Sequence, residues 1–159
     1  MVVACTDNHA ALGRVDGPLG PMWVAETDSG VAAVSRASSP AAFLERLRRR
    51  FPDADPEPDT FDATWLTSGV PPPVDLTGLS PFDARVYEVV RTVPTGTTVT
   101  YGEVAMMIGS PGAARAVGGA MARCPSFPAI PCHRVVRASD GRRREMARRR
   151  LAREPSGFT

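Results

Sequence analysis

The chain has 159 residues, 43% hydrophobic and 23% charged, with a net charge of +2. That is long enough to bury a core, too apolar for a disordered chain, and too short of long apolar runs for a membrane span. The charge is lopsided: residues 1–80 carry 6 Arg against 11 acids, and residues 81–159 carry 13 Arg against 6 acids. A basic half beside an acidic half points to a polyanionic partner for the C-terminal half, with a solvated surface as the plain alternative.

The first 35 residues read as short strands and turns. Two extended segments are expected, Pro21–Glu26 and Val31–Ser35, joined by a tight turn over Thr27-Asp28-Ser29-Gly30. The opening MVVACTDNHAALGR lacks a basic segment followed by a long apolar stretch, so no signal peptide is read and the cytoplasm is the expected location. A helix follows over Pro40–Phe51, capped by Ser39, with Phe43, Leu44, Leu47 and Phe51 on its inner face. Pro52–Asp59 is acidic and proline-rich, hence a loop. Val70-Pro71-Pro72-Pro73 is a stiff connector, and the boundary between two subdomains is placed near residues 70–78.

The second half reads as helical. Ser80 is the expected N-cap of a helix with Pro81 at its first position and Asp83 in its first turn. Phe82, Val86, Val89, Val90 and Val93 form its apolar stripe, and Pro94-Thr95-Gly96 ends it. A second helix is predicted over Tyr101–Ile108, a turn over Gly109-Ser110-Pro111-Gly112, and a third helix over Ala113–Arg123. Two short helices joined by a glycine-containing turn form a helix-turn-helix pattern. The third helix is crowded with Ala113, Ala114, Ala116, Gly118, Gly119 and Ala120, which allow a close approach either to a neighbouring helix or to nucleic acid. Arg115 among them favours the nucleic-acid face, because burying its charge against protein is costly.

Cys5, Cys124 and Cys132 are an odd and sparse set, which argues against a disulfide framework, and no metal site is read from them. Cys5 and His9 are spaced i, i+4, but two ligands do not make a site. The run Ala129-Ile130-Pro131-Cys132-His133-Arg134-Val135-Val136 carries the chemistry. A cysteine reacts as its thiolate, so an adjacent histidine that takes its proton makes a nucleophile of it; an inert core cysteine is the alternative.

Pro131-Cys132-His133-Arg134-Val135 resembles the active-site motif of the O6-alkylguanine-DNA alkyltransferases. Val99–Ala105, Gly112–Met121 and Ile130–Val136 occur in that family's order and spacing, so the likeness spans about residues 78–137. The N-terminal half is similar only in style.

The resemblance implies an α+β fold, with a small ribonuclease H-like α/β subdomain over residues 1–77. A winged-helix-like subdomain carrying the helix-turn-helix and active site follows over residues 78–159. It implies a monomer that binds double-stranded DNA containing alkylated guanine, needs no cofactor, and acts once. Cys132 would take the alkyl group from O6-alkylguanine, with O4-alkylthymine as an extension of that range. His133 would accept the Cys132 proton through a water, and Glu154 would orient that histidine. Arg115 would fill the space of the extruded nucleotide, Tyr101 would rotate its phosphate, and Ala113, Ala114 and Gly118 would bring the helix close to DNA. Met121 and Phe127 would lie near the base plane, while the backbone carbonyls of Cys132 and Val135 read the guanine amino group.

Two departures stand out. The family's Gly-rich loop after the cysteine motif is shortened here, where Ser139-Asp140-Gly141 runs into an Arg-rich stretch. Cys124 stands where the family has an asparagine linking the recognition helix to the active-site turn, and is expected to be structural, with a second reactive thiol as the alternative. The shortened loop also leaves open an alkyltransferase-like protein that binds lesions with little or no transfer.

Overall fold

The computed structural model describes residues 11–17, 20–36, 40–52, 64–68 and 70–138. Strands β1 (Ala11–Gly17), β2 (Gly20–Thr27) and β3 (Gly30–Ser35) form an antiparallel meander in that order. The expected turn is present: Thr27 pairs with Gly30 around Asp28-Ser29. β1 was not among the extended segments read from the sequence. Its strand, ALGRVDG, has two glycines and a weak alternation, and its place comes from pairing with β2, from Ala11 opposite Glu26 to Gly17 opposite Gly20.

The sheet is covered on both faces. Helix α1 (Pro40–Arg50) lays Phe43 and Leu47, with Phe51 just beyond it, on Leu12, Ala25, Ala32 and Ala33. On the other face Met22, Val24 and Val31 meet Trp65 and Leu66 of the short helix α2 (Trp65–Ser68), together with Ala129. Burial on both sides explains why β3 is apolar almost throughout, where a one-sided strand would alternate. The expected cap Ser39 and most of the acidic loop after Pro52 lie outside the described residues.

The proline-rich connector is more than a spacer. Val31 N–H donates to Pro73 O at 2.9 Å, and Asp75 N–H donates to Val31 O at 2.9 Å, so residues 73–75 run beside β3. Gly30, at φ 131°, lets this happen: a Cβ there would run into the Pro73 carbonyl. Arg50 fastens the same stretch, donating to Asp75 O at 2.8 Å, Thr77 O at 3.1 Å and Ala32 O.

Helix α3 (Pro81–Val90) starts as read, with Asp83 N–H donating to the Ser80 hydroxyl at 3.1 Å and Pro81 at the first position. Val86, Val90 and Val93 are buried. Strand β4 (Val99–Thr100) leads directly into helix α4 (Tyr101–Met107), whose start is a reciprocal capping box between Thr100 and Glu103. Helix α5 is Ala114–Ala122, with Ala113 and Arg123 as its caps. Val86, Tyr87, Val90, Val104, Ala105, Ile108, Val117, Ala120, Ile130 and Val135 make one core under this helical half. The molecule is therefore a mixed α/β fold with a small antiparallel sheet.

Candidate active site and nucleic-acid interface

The segment around Cys132 is built by backbone geometry. Pro131, at φ −78° and ψ 61°, is the centre of an inverse γ-turn in which Cys132 N–H donates to Ile130 O at 2.8 Å. A single 3-10 turn over Cys132–Arg134 follows, and strand β5 (Val135–Val136) then pairs in parallel with β4, Val99 opposite Val135 and Thr100 opposite Val136. Because β4 runs straight into α4, this pairing holds the cysteine turn beside the entry to the helix-turn-helix.

Arg134 is the anchor of that turn. It is 1% exposed, and its guanidinium donates to Val93 O at 2.7 Å and to the Thr95 hydroxyl at 3.2 Å, both just beyond α3. Sequence reasoning treated Arg134 as part of a motif without giving it a role. Ser126 was missed altogether. It is fully buried, its hydroxyl donates to Ala32 O at 3.1 Å, and its neighbour Pro125 accepts from Val34 N–H at 2.7 Å. The N-terminal sheet thus supports the loop that delivers Cys132. A lone serine in a loop gives no sequence signal for such a contact.

The cysteines require a correction. Cys132 and Cys124 are joined by a disulfide, with Cα atoms 6.9 Å apart and a sequence separation of 8. The odd, sparse cysteine count argues against a disulfide framework, and this single bond is the pairing that such an argument does not reach. This bond crosslinks the end of α5 to the reactive turn, two places the fold brings together for other reasons. Cys124 stands where the family resemblance implies an asparagine, so the end of α5 and the Cys132 turn are joined covalently here.

Val135, buried at 6% exposure, and Met121, half-buried, pack with the helical core, as do Cys124 and Cys132. The rings of Phe127 and His133 meet edge to face with centroids 5.2 Å apart. The carbonyl of Cys132 accepts Val135 N–H, which leaves one lone pair for an incoming donor. Glu154, the shortened Gly-rich loop and the Arg-rich stretch lie outside the described residues, as do Cys5 and His9. Among the described residues no group of three or more His, Cys, Asp or Glu is placed to hold a metal ion, and no helix is long and apolar enough to cross a membrane.

On α5, Arg115 is exposed, while Ala113, Ala114 and Gly118 are half-buried. Gly118 answers the question its composition raised. A Cβ there would lie 3.0 Å from Cε2 and 3.2 Å from Cδ2 of Tyr101, so this glycine makes room for the Tyr101 ring between the two helices. The helix is positioned from behind by Asp83, whose carboxylate takes two hydrogen bonds from Arg123 at 2.9 and 3.3 Å. That ion pair raises the Arg123 pKa.

An α/β chain whose helix-turn-helix presents an arginine, with a Cys-His turn strapped to its entry, belongs to the class of DNA-binding thiol proteins. Comparison with known proteins makes this specific. Residues 81–154 match the family model of the 6-O-methylguanine DNA methyltransferase DNA-binding domain. The chain is 37% identical to the methylated-DNA–protein-cysteine methyltransferase of Mycobacterium leprae, over 79% of this chain and 77% of that one. It is 40% identical to a DNA base-flipping protein of Thermus thermophilus, over 79% and 82%. Among solved structures it is similar to Mycobacterium tuberculosis OGT in complex with DNA, with a TM-score of 0.65, 29% identity, and coverage of 94% and 97%. The chain belongs to the O6-methylguanine-DNA methyltransferase family.

Proposed function

We propose that the dithiol form of this chain repairs O6-alkylguanine, and by extension O4-alkylthymine, in double-stranded DNA by one irreversible transfer to Cys132. The observation that carries the reading is the Cys132–His133 turn held by the β4–β5 pairing at the entry to a helix-turn-helix. The Cys132 thiolate attacks the alkyl carbon, a C–S bond forms as the C–O bond breaks, and the electron pair leaves on guanine O6, which is protonated. The thioether has no ready leaving route, so each molecule acts once, with no cofactor or metal.

The remaining roles follow. His133 accepts the thiol proton through a water and Glu154 orients it. Arg115 takes the space of the extruded nucleotide, which must leave the stack because its alkylated atom is shielded in the duplex. Tyr101 turns the phosphate; Ala113, Ala114 and Gly118 allow close approach; Met121 and Phe127 lie near the base plane, and the backbone carbonyls of Cys132 and Val135 read the guanine amino group. The finer fold assignment accords with this: a ribonuclease H-like unit over residues 1–77 and a winged-helix-like unit over 78–159, acting as a monomer on DNA in the cytoplasm.

The test is intact mass of the reduced chain after incubation with duplex DNA containing O6-methylguanine. Transfer adds one CH2 to Cys132, and Cys132→Ser abolishes the gain while retaining DNA. A second reading, lesion binding without transfer, draws on the 40% identity to a protein named for base flipping. Retention of lesion DNA by the reduced chain without any mass gain would establish it.

A further inference from the structure

The structure places a second thiol on the acceptor sulfur of the proposed reaction, and nothing in that reaction uses it. Cys124 follows directly on the C-cap of α5, and Cys132 opens the 3-10 turn. Three features hold the two positions together. Cys124 N–H reaches back to Met121 O at 3.4 Å at the helix end. Ser126 and Pro125 fix the intervening loop to β3. Arg134 and the Pro131 γ-turn fix the far side. The segment 124–132 is thus a closed loop whose ends meet in the folded chain. Both cysteines are half-buried at the edge of the helical core rather than sealed within it.

We propose that Cys124 is a resolving cysteine: oxidation joins it reversibly to Cys132 and withholds the alkyl acceptor, and thiol reductants return it. The inference rests on Cys132 being that acceptor. A cysteine activated for attack on alkyl carbon is also exposed to oxidants, since the same thiolate is the reactive species in both cases. With a peroxide, the Cys132 thiolate attacks one oxygen, the O–O bond breaks, and hydroxide leaves, giving a sulfenic acid. The Cys124 thiolate then attacks that sulfur, the S–O bond breaks, and a second hydroxide leaves, giving the disulfide. Two thiols lose two electrons, and the peroxide is reduced to two waters. A small thiol reverses the bond by exchange, first forming a mixed disulfide and then releasing both thiols. Without a partner in reach, the sulfenic acid is open to further oxidation, to sulfinic and sulfonic acids that small thiols do not repair. A protein that works once and is not regenerated loses its whole capacity by such a step, and Cys124 prevents it.

The experiment uses the full chain and Cys124→Ser. Each is treated with a pulse of hydrogen peroxide, then split and incubated with or without dithiothreitol. Three readouts are taken: intact mass, non-reducing peptide mapping with thiol-blocking tags, and methyl uptake from O6-methylguanine duplex. Uptake is normalised to the untreated, reduced form of the same protein. The native chain is expected to lose two hydrogens, to yield a linked Cys124–Cys132 peptide pair, to lose methyl uptake, and to regain nearly all of it with dithiothreitol. Cys124→Ser is expected to gain oxygen atoms at Cys132 and to recover at least several-fold less. A native chain that takes up oxygen on Cys132, links Cys132 to Cys5, or fails to recover with reductant overturns the proposal. If reduced native protein never takes up methyl, the repair reading fails; the mapping and mass readouts still decide whether Cys124 protects Cys132 from over-oxidation.

Discussion

The hydroxyl of Tyr87, on α3, donates to the carbonyl of Ala120, on α5, at 2.7 Å inside the helical core. It ties the two helices from within their apolar contact, as the Asp83–Arg123 ion pair does from the rim. Ala120 O also accepts Arg123 N–H at 3.1 Å, so it keeps a partner when the phenol is lost. Tyr87→Phe is therefore expected to destabilise by only about 1 kcal/mol, read as a small loss in urea midpoint. Burial, with Asp83 nearby, pushes the Tyr87 pKa up to about 12. A raised folded-state pKa contributes stability that is complete below the unfolded value of about 10 and is lost as pH climbs toward the folded one. The native chain should weaken between those values, and Tyr87→Phe should show less of that alkaline loss.

Gly118→Ala separates packing from DNA handling. Alanine improves helix propensity by about 1 kcal/mol, which opposes the cost of pushing the Tyr101 ring aside. Thermal stability should change little, while the single-turnover rate of methyl uptake falls because Tyr101 no longer sits as it does against α5. An unchanged rate with a displaced melting temperature would show that the Tyr101 position has no part in handling the nucleotide.

Arg115→Ala should slow lesion processing more than it weakens binding to undamaged duplex, because phosphate contacts from the rest of the surface remain. Binding isotherms at several salt concentrations beside single-turnover rates give the comparison. Equal losses in both would make Arg115 a general phosphate contact.

Arg134→Met keeps an unbranched apolar stem and removes the donors. The carbonyl of Val93 and the hydroxyl of Thr95 lose their guanidinium partner, at a cost of ~2–3 kcal/mol. Methyl uptake should fall with stability, since the same bonds fix the turn that carries Cys132. Circular dichroism melts and uptake measured well below the melting temperature distinguish a loosened turn from an unfolded chain.

Asp75 makes the fold acid-sensitive. Burial alone would raise its pKa, but hydrogen bonds from Thr27 at 2.5 Å and Thr77 N–H at 2.8 Å, a bond from the Thr77 side chain, and the Arg50 charge bring it below the ordinary carboxylate value. A depressed folded-state pKa gives stability that is present above the unfolded value of about 4 and is lost as pH falls through the folded one. Thr27→Val should therefore narrow the difference in stability between neutral pH and pH values below that point.

The helical half was readable because its signals are local. Ser80-Pro81, the valine stripe, and Gly109 in the turn each specify a helix boundary or face within a few residues. Cys132 and His133 were readable for the same reason, being adjacent. What escaped was non-local. β1 is defined by its partner strand, Ser126 by a carbonyl on β3, and Arg134 by the end of α3. The Cys124–Cys132 bond escaped because spacing along a chain does not reveal which loop ends a fold will bring into contact.

The seat of Ala129 and Ser126 on the sheet has a consequence for how the chain divides its labour. The part matched by the family model begins at residue 81, yet the floor beneath its reactive loop is made by residues 22–34. A fragment starting at residue 78 would carry every proposed chemical group while leaving Ala129 uncovered and Ser126 without its carbonyl. The acidic, less recognisable half is the jig that holds the workpiece.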